Sequence, residues 1–299
     1  MTILPTQIKN QRVFLPGCDR VSVSMKRLDL WHPVVSGNKF FKLKYNLEAA
    51  SKMGAKRIVT FGGAFSNHIA ACAYACNNAG FESVGIIRGE ELEFQERNAT
   101  LRFAESCGMQ LQFVSREIYS KKQLPFKIAS TDFIIPEGGA NEWGVQGCRE
   151  ILSESDSKFD FIAVSLGTGI TAAGLSHALF PQQQLLVFSA LKGALTDSDF
   201  FTFADAKRYR LFEQYHCGGY AKCPPELVHF INDFYKQNGF LLDPIYTGKM
   251  MFGLGDLVQN GFFKNGAKIL AIHTGGLQAI SGMNARLKAN ELLEIQTEL

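Results

Sequence analysis

Residues 160–175, DFIAVSLGTGITAAGL, run from an apolar, β-branched stretch through a glycine turn into small helix-forming residues. A strand buried on both faces that hands over to a helix through glycines is the unit of a parallel α/β sheet. The same rhythm returns at RIVTFGG (57–63), ESVGIIRG (82–89), MQLQFVS (109–115), QLLVFSAL (184–191) and KILAIHTGG (268–276). These runs predict doubly wound parallel sheet, whose ligands bind beyond the carboxyl ends of the strands. Turn-forming residues cluster at Pro136–Gly139 and Ser155–Lys158, the best candidates for a crossing between domains.

The chain has 299 residues, enough for one large α/β domain or two smaller ones. Hydrophobic residues make up 46% and charged residues 20%, which excludes a disordered chain. The net charge of +3 is spread without a polybasic block, so nucleic acid is not an expected partner. No stretch approaches the roughly 18 apolar residues of a membrane span, and the start MTILPTQIKNQRVF has no apolar core behind a basic head. A cytoplasmic protein without a membrane partner is expected. The seven cysteines, Cys18, Cys72, Cys76, Cys107, Cys148, Cys217 and Cys223, form no paired CxxC framework and read as small buried hydrophobes. His216, Cys217 and Cys223 lack a fourth ligand at suitable spacing, so no metal centre is expected.

Five motifs sit at strand ends or helix starts. In SGNKFFKLKYNLEAA (36–50), Ser36-Gly37-Asn38 predicts a helix start, with Lys39 and Lys42 three apart on one face. A solvated basic face is the plain reading. Yet Phe40, Phe41, Leu43 and Tyr45 surround the lysines, and a desolvated lysine becomes a nucleophile for carbonyl chemistry. In TFGGAFSNHIAACAYACNNAG (60–80) a helix begins near Ser66 or Asn67 and can hold a carboxylate or phosphate, or simply carry an N-cap. Ala70, Ala71, Ala73 and Ala75 allow that helix to pack closely, and His68 reads as an orienting or packing residue. The loop Gly167-Thr168-Gly169-Ile170-Thr171-Ala172 fits the GxGxxG/A dinucleotide fingerprint, so a nicotinamide enzyme is an alternative. Against it, the next strand ends as VFSALKG (187–193) without the acidic residue that takes the ribose hydroxyls, and two threonines suit a single phosphate better. Tyr220 in GGYAKCPPE (218–226), Tyr246 in LLDPIYTGKMMFGL (241–254) and His273 in AIHTGG (271–276) read individually as packing residues.

In their order, GNKxxKL, GGxxSNH, GTGxT, YTGK and HTGG, the motifs resemble the pyridoxal-phosphate enzymes of the tryptophan synthase β-like fold. Within that group they resemble the 1-aminocyclopropane-1-carboxylate deaminase and D-cysteine desulfhydrase family, over about residues 30–280. The intervals from Lys39 to Ser66 and from Tyr220 to Tyr246 match the family's. The resemblance implies fold type II: two open twisted parallel-sheet domains with the active site in the cleft between them. Residues 1–45 with 156–299 would form the large cofactor-binding domain and 46–155 the small one. It makes Lys39 the Schiff-base lysine and puts Lys42 near the cofactor phosphate. Gly167, Thr168, Gly169, Ile170 and Thr171 would cup that phosphate, and Asn67 would bond the ring oxygen. Ser66, with Asn67 and His68 beside it, would hold the substrate carboxylate, while Tyr220 and Tyr246 would act as acid/base or orienting groups. A small amino acid is the implied substrate and a homodimer the implied assembly.

The groups near the pyridine nitrogen distinguish the family's activities. Its deaminases place Glu after the second tyrosine and Leu within HxGG, where its desulfhydrases place Thr at both; this chain has Thr247 and Thr274. A neutral hydroxyl leaves the ring nitrogen unprotonated, a weaker electron sink that still suffices to expel thiolate. The resemblance therefore implies β-elimination from D-cysteine, giving pyruvate, ammonia and sulfide. The alternative is opening of 1-aminocyclopropane-1-carboxylate to 2-oxobutanoate. Phe65 stands where the family usually has Gln, and Ile170 replaces a glycine or serine.

Overall fold

All six runs read as strands form strands, and four more that the pattern did not mark complete two sheets. The computed structural model describes residues 8–32, 34–193, 199–205 and 208–298; the first seven residues of the amino-terminal stretch considered above lie outside them. The strands are β1 Asn10–Val13, β2 Ser22–Arg27, β3 Arg57–Gly63, β4 Glu82–Arg88, β5 Met109–Val114, β6 Asp132–Ile135, β7 Phe161–Leu166, β8 Gln184–Ser189, β9 Tyr209–Phe212 and β10 Lys268–His273. The helices that position the site are α1 Asn38–Lys52, α2 Asn67–Ala79, α3 Ala99–Ser106, α4 Arg116–Ser120, α5 Glu142–Cys148, α6 Ile170–Ala178, α7 Phe200–Phe203, α8 Pro225–Asn238, α9 Thr247–Gln259 and α10 Ala279–Ala289. One sheet runs in the order β1-β2-β10-β7-β8-β9 and the other β5-β4-β3-β6. Every pairing is parallel except the edge pair β1 with β2.

Central strands were legible because both of their faces are buried. β10 and β8 are buried at every residue after the first, whereas the edge strand β5 alternates between buried and open positions. β2 was hidden because it brings charge inside. Lys26 pairs with the fully buried Asp156, and Arg27 bonds Asp29 while its guanidinium stacks 3.9 Å above the Phe240 ring. The six-stranded sheet is covered on both faces: Phe188, Phe212, Met250 and Leu254 pack on one side, Ile162, Ile170, Val187 and Ile272 on the other. Burial of each such side chain stabilises the fold by about 1.5–3 kcal/mol. The four-stranded sheet packs α2 and α3 on one face through Ile58, Ile69, Ala73 and Leu101, leaving Phe61, Ile86 and Tyr119 on the other. Among the described residues no helix is long and apolar enough to cross a membrane.

Candidate active site

Glycine at 37 decides how α1 begins. Its φ of +67° lies in the region that favours glycine, and a Cβ there would come within 2.0 Å of the Thr274 carbonyl oxygen. With that close approach allowed, the Asn38 amide donates to the same carbonyl at 3.3 Å, and the start of α1 is anchored to the end of β10. Lys39 then turns into a pocket lined by Val34, Asn67, Ala71, Thr274, Gly276 and Gln278. Its ammonium donates to the Asn38 side-chain oxygen at 2.8 Å. Burial, and after it the charge of Lys42, bring the Lys39 pKa down to about 7.

The apolar neighbours in sequence do not form this pocket. Phe40 and Phe41 turn to Trp31, with centroids 5.5 and 5.4 Å away, Leu43 enters the small-sheet core, and Tyr45 bonds Glu150. Successive helical residues point about 100° apart, so the residues flanking Lys39 face elsewhere. Lys42 is buried along Gly139, and burial lowers its pKa too.

The β3–α2 turn supplies the facing wall. Ser66 caps α2, its hydroxyl accepting from the Ile69 amide at 3.3 Å. Asn67 lines the Lys39 pocket, and its side-chain oxygen is buried without a partner among the described residues. His68 is turned inward, its Nε2 2.9 Å from the Thr60 hydroxyl. Burial, followed by the charges of Lys39 and Lys42, drops its pKa to about 3 and keeps it neutral. The other nitrogen, Nδ1, has no partner among the described residues.

The loop after β7 closes the site from the large sheet. The α6 start has Gly169 at φ +95° and no side-chain cap, whereas α2, α3 and α5 are each capped by Ser or Asn. Uncapped amides at a helix start can receive an anion. The Ile170 side chain is fully buried in the core, so only its main chain faces the loop. Thr168 packs over Gly138, and the Thr171 hydroxyl accepts from Asn38 Nδ2 at 2.7 Å. Gly167 lies under the Tyr246 ring, where a Cβ would meet Cε1 at 2.9 Å. The Tyr220 and Tyr246 rings are 6.4 Å apart. Burial is the main cause raising both phenols, Tyr246 far more, so neither is a phenolate near neutrality. Thr247 and Thr274 are buried with their hydroxyls 3.4 Å apart. His273 is a satisfied core residue, bonded to the Leu241 carbonyl at 2.9 Å and to the Gly275 amide at 3.2 Å.

Sequence reasoning missed Asn38 and Asp243. Asp243 is fully buried and accepts from the amides of Ile245, Tyr246 and Thr247 at 3.0, 2.8 and 2.8 Å, fixing the start of α9. Its position a few residues before a helix was the available signal. A concavity of about 630 Å³ between Phe61, Leu124, Phe126 and Ile134 contains none of the predicted site residues.

A burial-activated lysine between two wound sheets, beside an uncapped helix start, defines the fold type II class of pyridoxal-phosphate enzymes, and solved structures agree. A crystal structure of an ACC deaminase homologue superposes with TM-score 0.80 at 27% identity, covering 97% of this chain and 95% of that one. Threonine deaminase isoform 2 of Solanum lycopersicum shares the fold at TM-score 0.66 and 14% identity, with 94% and 88% covered. In sequence, the Arabidopsis thaliana mitochondrial bifunctional D-cysteine desulfhydrase/1-aminocyclopropane-1-carboxylate deaminase is 30% identical, over 92% of this chain and 77% of its own. A Pyrococcus horikoshii protein provisionally named 1-aminocyclopropane-1-carboxylate deaminase is also 30% identical, over 88% of each chain. No protein-family model matches. The chain belongs to the 1-aminocyclopropane-1-carboxylate deaminase and D-cysteine desulfhydrase family.

Proposed function

We propose that this protein binds pyridoxal 5'-phosphate and eliminates hydrogen sulfide from D-cysteine, which with water gives pyruvate and ammonia. The residues present fit the cofactor. Lys39 offers an amine whose pKa is near 7, Asn67 a side-chain oxygen buried without a partner among the described residues in the same pocket, and α6 an uncapped start with Gly167 and Gly169 for close approach. When bound, the cofactor supplies an electron sink at the substrate α-carbon.

The chain's own residues do the rest. Lys39, once displaced by the substrate amine, is the base that takes the α-proton. Ser66 and the neighbouring amides at the α2 start hold the substrate carboxylate, where the helix dipole favours an anion. Because burial keeps Tyr246 protonated and Tyr220 is raised as well, the pair donates hydrogen bonds toward the leaving sulfur instead of abstracting protons. Neutral His68 braces the α2 start against Thr60.

The observation that favours elimination over ring opening is the pair Thr247 and Thr274: two uncharged hydroxyls 3.4 Å apart, one of them lining the Lys39 pocket. Neither can protonate a ring nitrogen as an acid would, so a good leaving group is required. The test is release of pyruvate or 2-oxobutanoate from D-cysteine, D-serine, β-chloro-D-alanine and 1-aminocyclopropane-1-carboxylate by the purified holoenzyme. Turnover of D-cysteine above the cyclopropane supports the reading. The reverse order makes the protein a deaminase, and cofactor binding without any turnover defeats both.

A further inference from the structure

Lys249, two residues into α9 beyond Thr247, is 1% exposed, yet among the described residues its donors go to main-chain carbonyls and not to a carboxylate. Nζ lies 2.7 Å from the Gly219 oxygen and 3.4 Å from the Ala190 oxygen. Burying an ammonium is unfavourable, and a methionine of similar volume would avoid that cost. Something local must justify a lysine there.

The residue after Gly219 is Tyr220, and the turn that carries it is held in unusual backbone conformations. Cys217, Gly218, Gly219 and Ala221 have φ of +52°, +90°, +111° and +52°. For Cys217 and Ala221 the left-handed region is disfavoured, so the turn needs outside support. It receives support on each side of the tyrosine. Lys249 grips the carbonyl before Tyr220, and Arg286 of α10 donates to the Ala221 carbonyl beyond it at 2.7 Å. Lys249 also follows Tyr246 by three residues, Tyr246 standing at the cap of α9 and Lys249 in its first turn.

We propose that Lys249 is a positioning residue: its buried ammonium serves as a built-in cation that holds the 217–221 turn and so sets Tyr220 against Tyr246. The inference rests on the reading of Tyr220 as a hydrogen-bond donor to the substrate. It adds the group that gives an otherwise half-open ring, 48% exposed, a fixed place.

The test is Lys249→Met in the holoenzyme, with Tyr220→Phe and the double variant. Lys249→Met relieves the cost of burying an ammonium but takes a donor from the Gly219 and Ala190 carbonyls, so the two effects oppose and the unfolding midpoint should change little. A shift of the donor by about 1 Å costs up to about 100-fold in rate, so kcat for D-cysteine should fall between about 10- and 100-fold with KM within about 3-fold. The double variant should be no slower than Tyr220→Phe, and the Gly219 and Lys222 amides, both bonded within the turn, should exchange faster with deuterium. An unchanged kcat, losses that multiply in the double variant, or unaltered exchange would each overturn the proposal. Should methionine prevent folding, Lys249→Gln gives the same readouts. If Tyr220→Phe alone keeps full activity, the donor role of Tyr220 fails, while the exchange measurement, which needs no turnover, still judges the grip of Lys249 on the turn.

Discussion

Asn38 Nδ2 and Thr171 Oγ1 stand 2.7 Å apart across 133 positions of sequence, joining the start of the helix that carries Lys39 to the start of the helix behind the glycine loop. The same Asn38 accepts from Lys39 Nζ through its other side-chain atom, so one amide sets both the amine and the anion site. Asn38→Ala removes both bonds, each worth about 0.5–1.5 kcal/mol. Retention of pyridoxal phosphate should weaken by about 5- to 150-fold, measured by dialysis against decreasing cofactor. Unchanged retention would separate the two sites.

The lowered pKa of Lys39 sets a pH dependence. Burial disfavours the ammonium, so the free amine predominates above about 7 instead of above the ordinary lysine value. The rate at which apoprotein takes up pyridoxal phosphate should therefore rise from about pH 6 to about pH 8 and then level off. A rate still climbing at about pH 9 would mean that the pocket does not desolvate the amine.

Asp243 ties three successive amides at the start of α9, and its carboxylate is fully buried. Asp243→Ala leaves those donors unpaired and should destabilise the protein by about 1–3 kcal/mol in urea unfolding. Because Tyr246 and Thr247 are two of the three, turnover by the folded fraction should fall as well. A loss of stability with full turnover would confine Asp243 to folding.

Thr247→Glu puts a carboxylate beside Thr274 and near the Lys39 pocket. Elimination from D-cysteine should fall relative to ring opening of 1-aminocyclopropane-1-carboxylate, since a protonated ring nitrogen is the stronger electron sink that the poorer leaving group needs. Steady-state release of pyruvate against 2-oxobutanoate from the two substrates checks it, and an unaltered ratio would remove the ring nitrogen from the account of specificity.

The chain alone determined the class of fold and marked the strand ends at which the candidate site lies. Continuous apolar runs such as KILAIH mark strands buried on both faces, and glycine-rich strand ends fall where parallel sheets bind ligands. β1, β2, β6 and β9 stayed hidden because short or edge strands alternate, and because β2 buries Lys26 and Arg27 against partners far along the chain. What tertiary structure decided is which side chains meet. Phe40 and Phe41 flank Lys39 in sequence yet turn away from it, while Thr274, Asn67 and Gly276 arrive from distant segments to desolvate the amine. Asp243, Asn38 and Lys249 acquire their roles only from main-chain and side-chain groups that come from other turns of the fold. Periodicity reports whether a residue is buried, whereas hydrogen-bond partners depend on three-dimensional placement that no local pattern records.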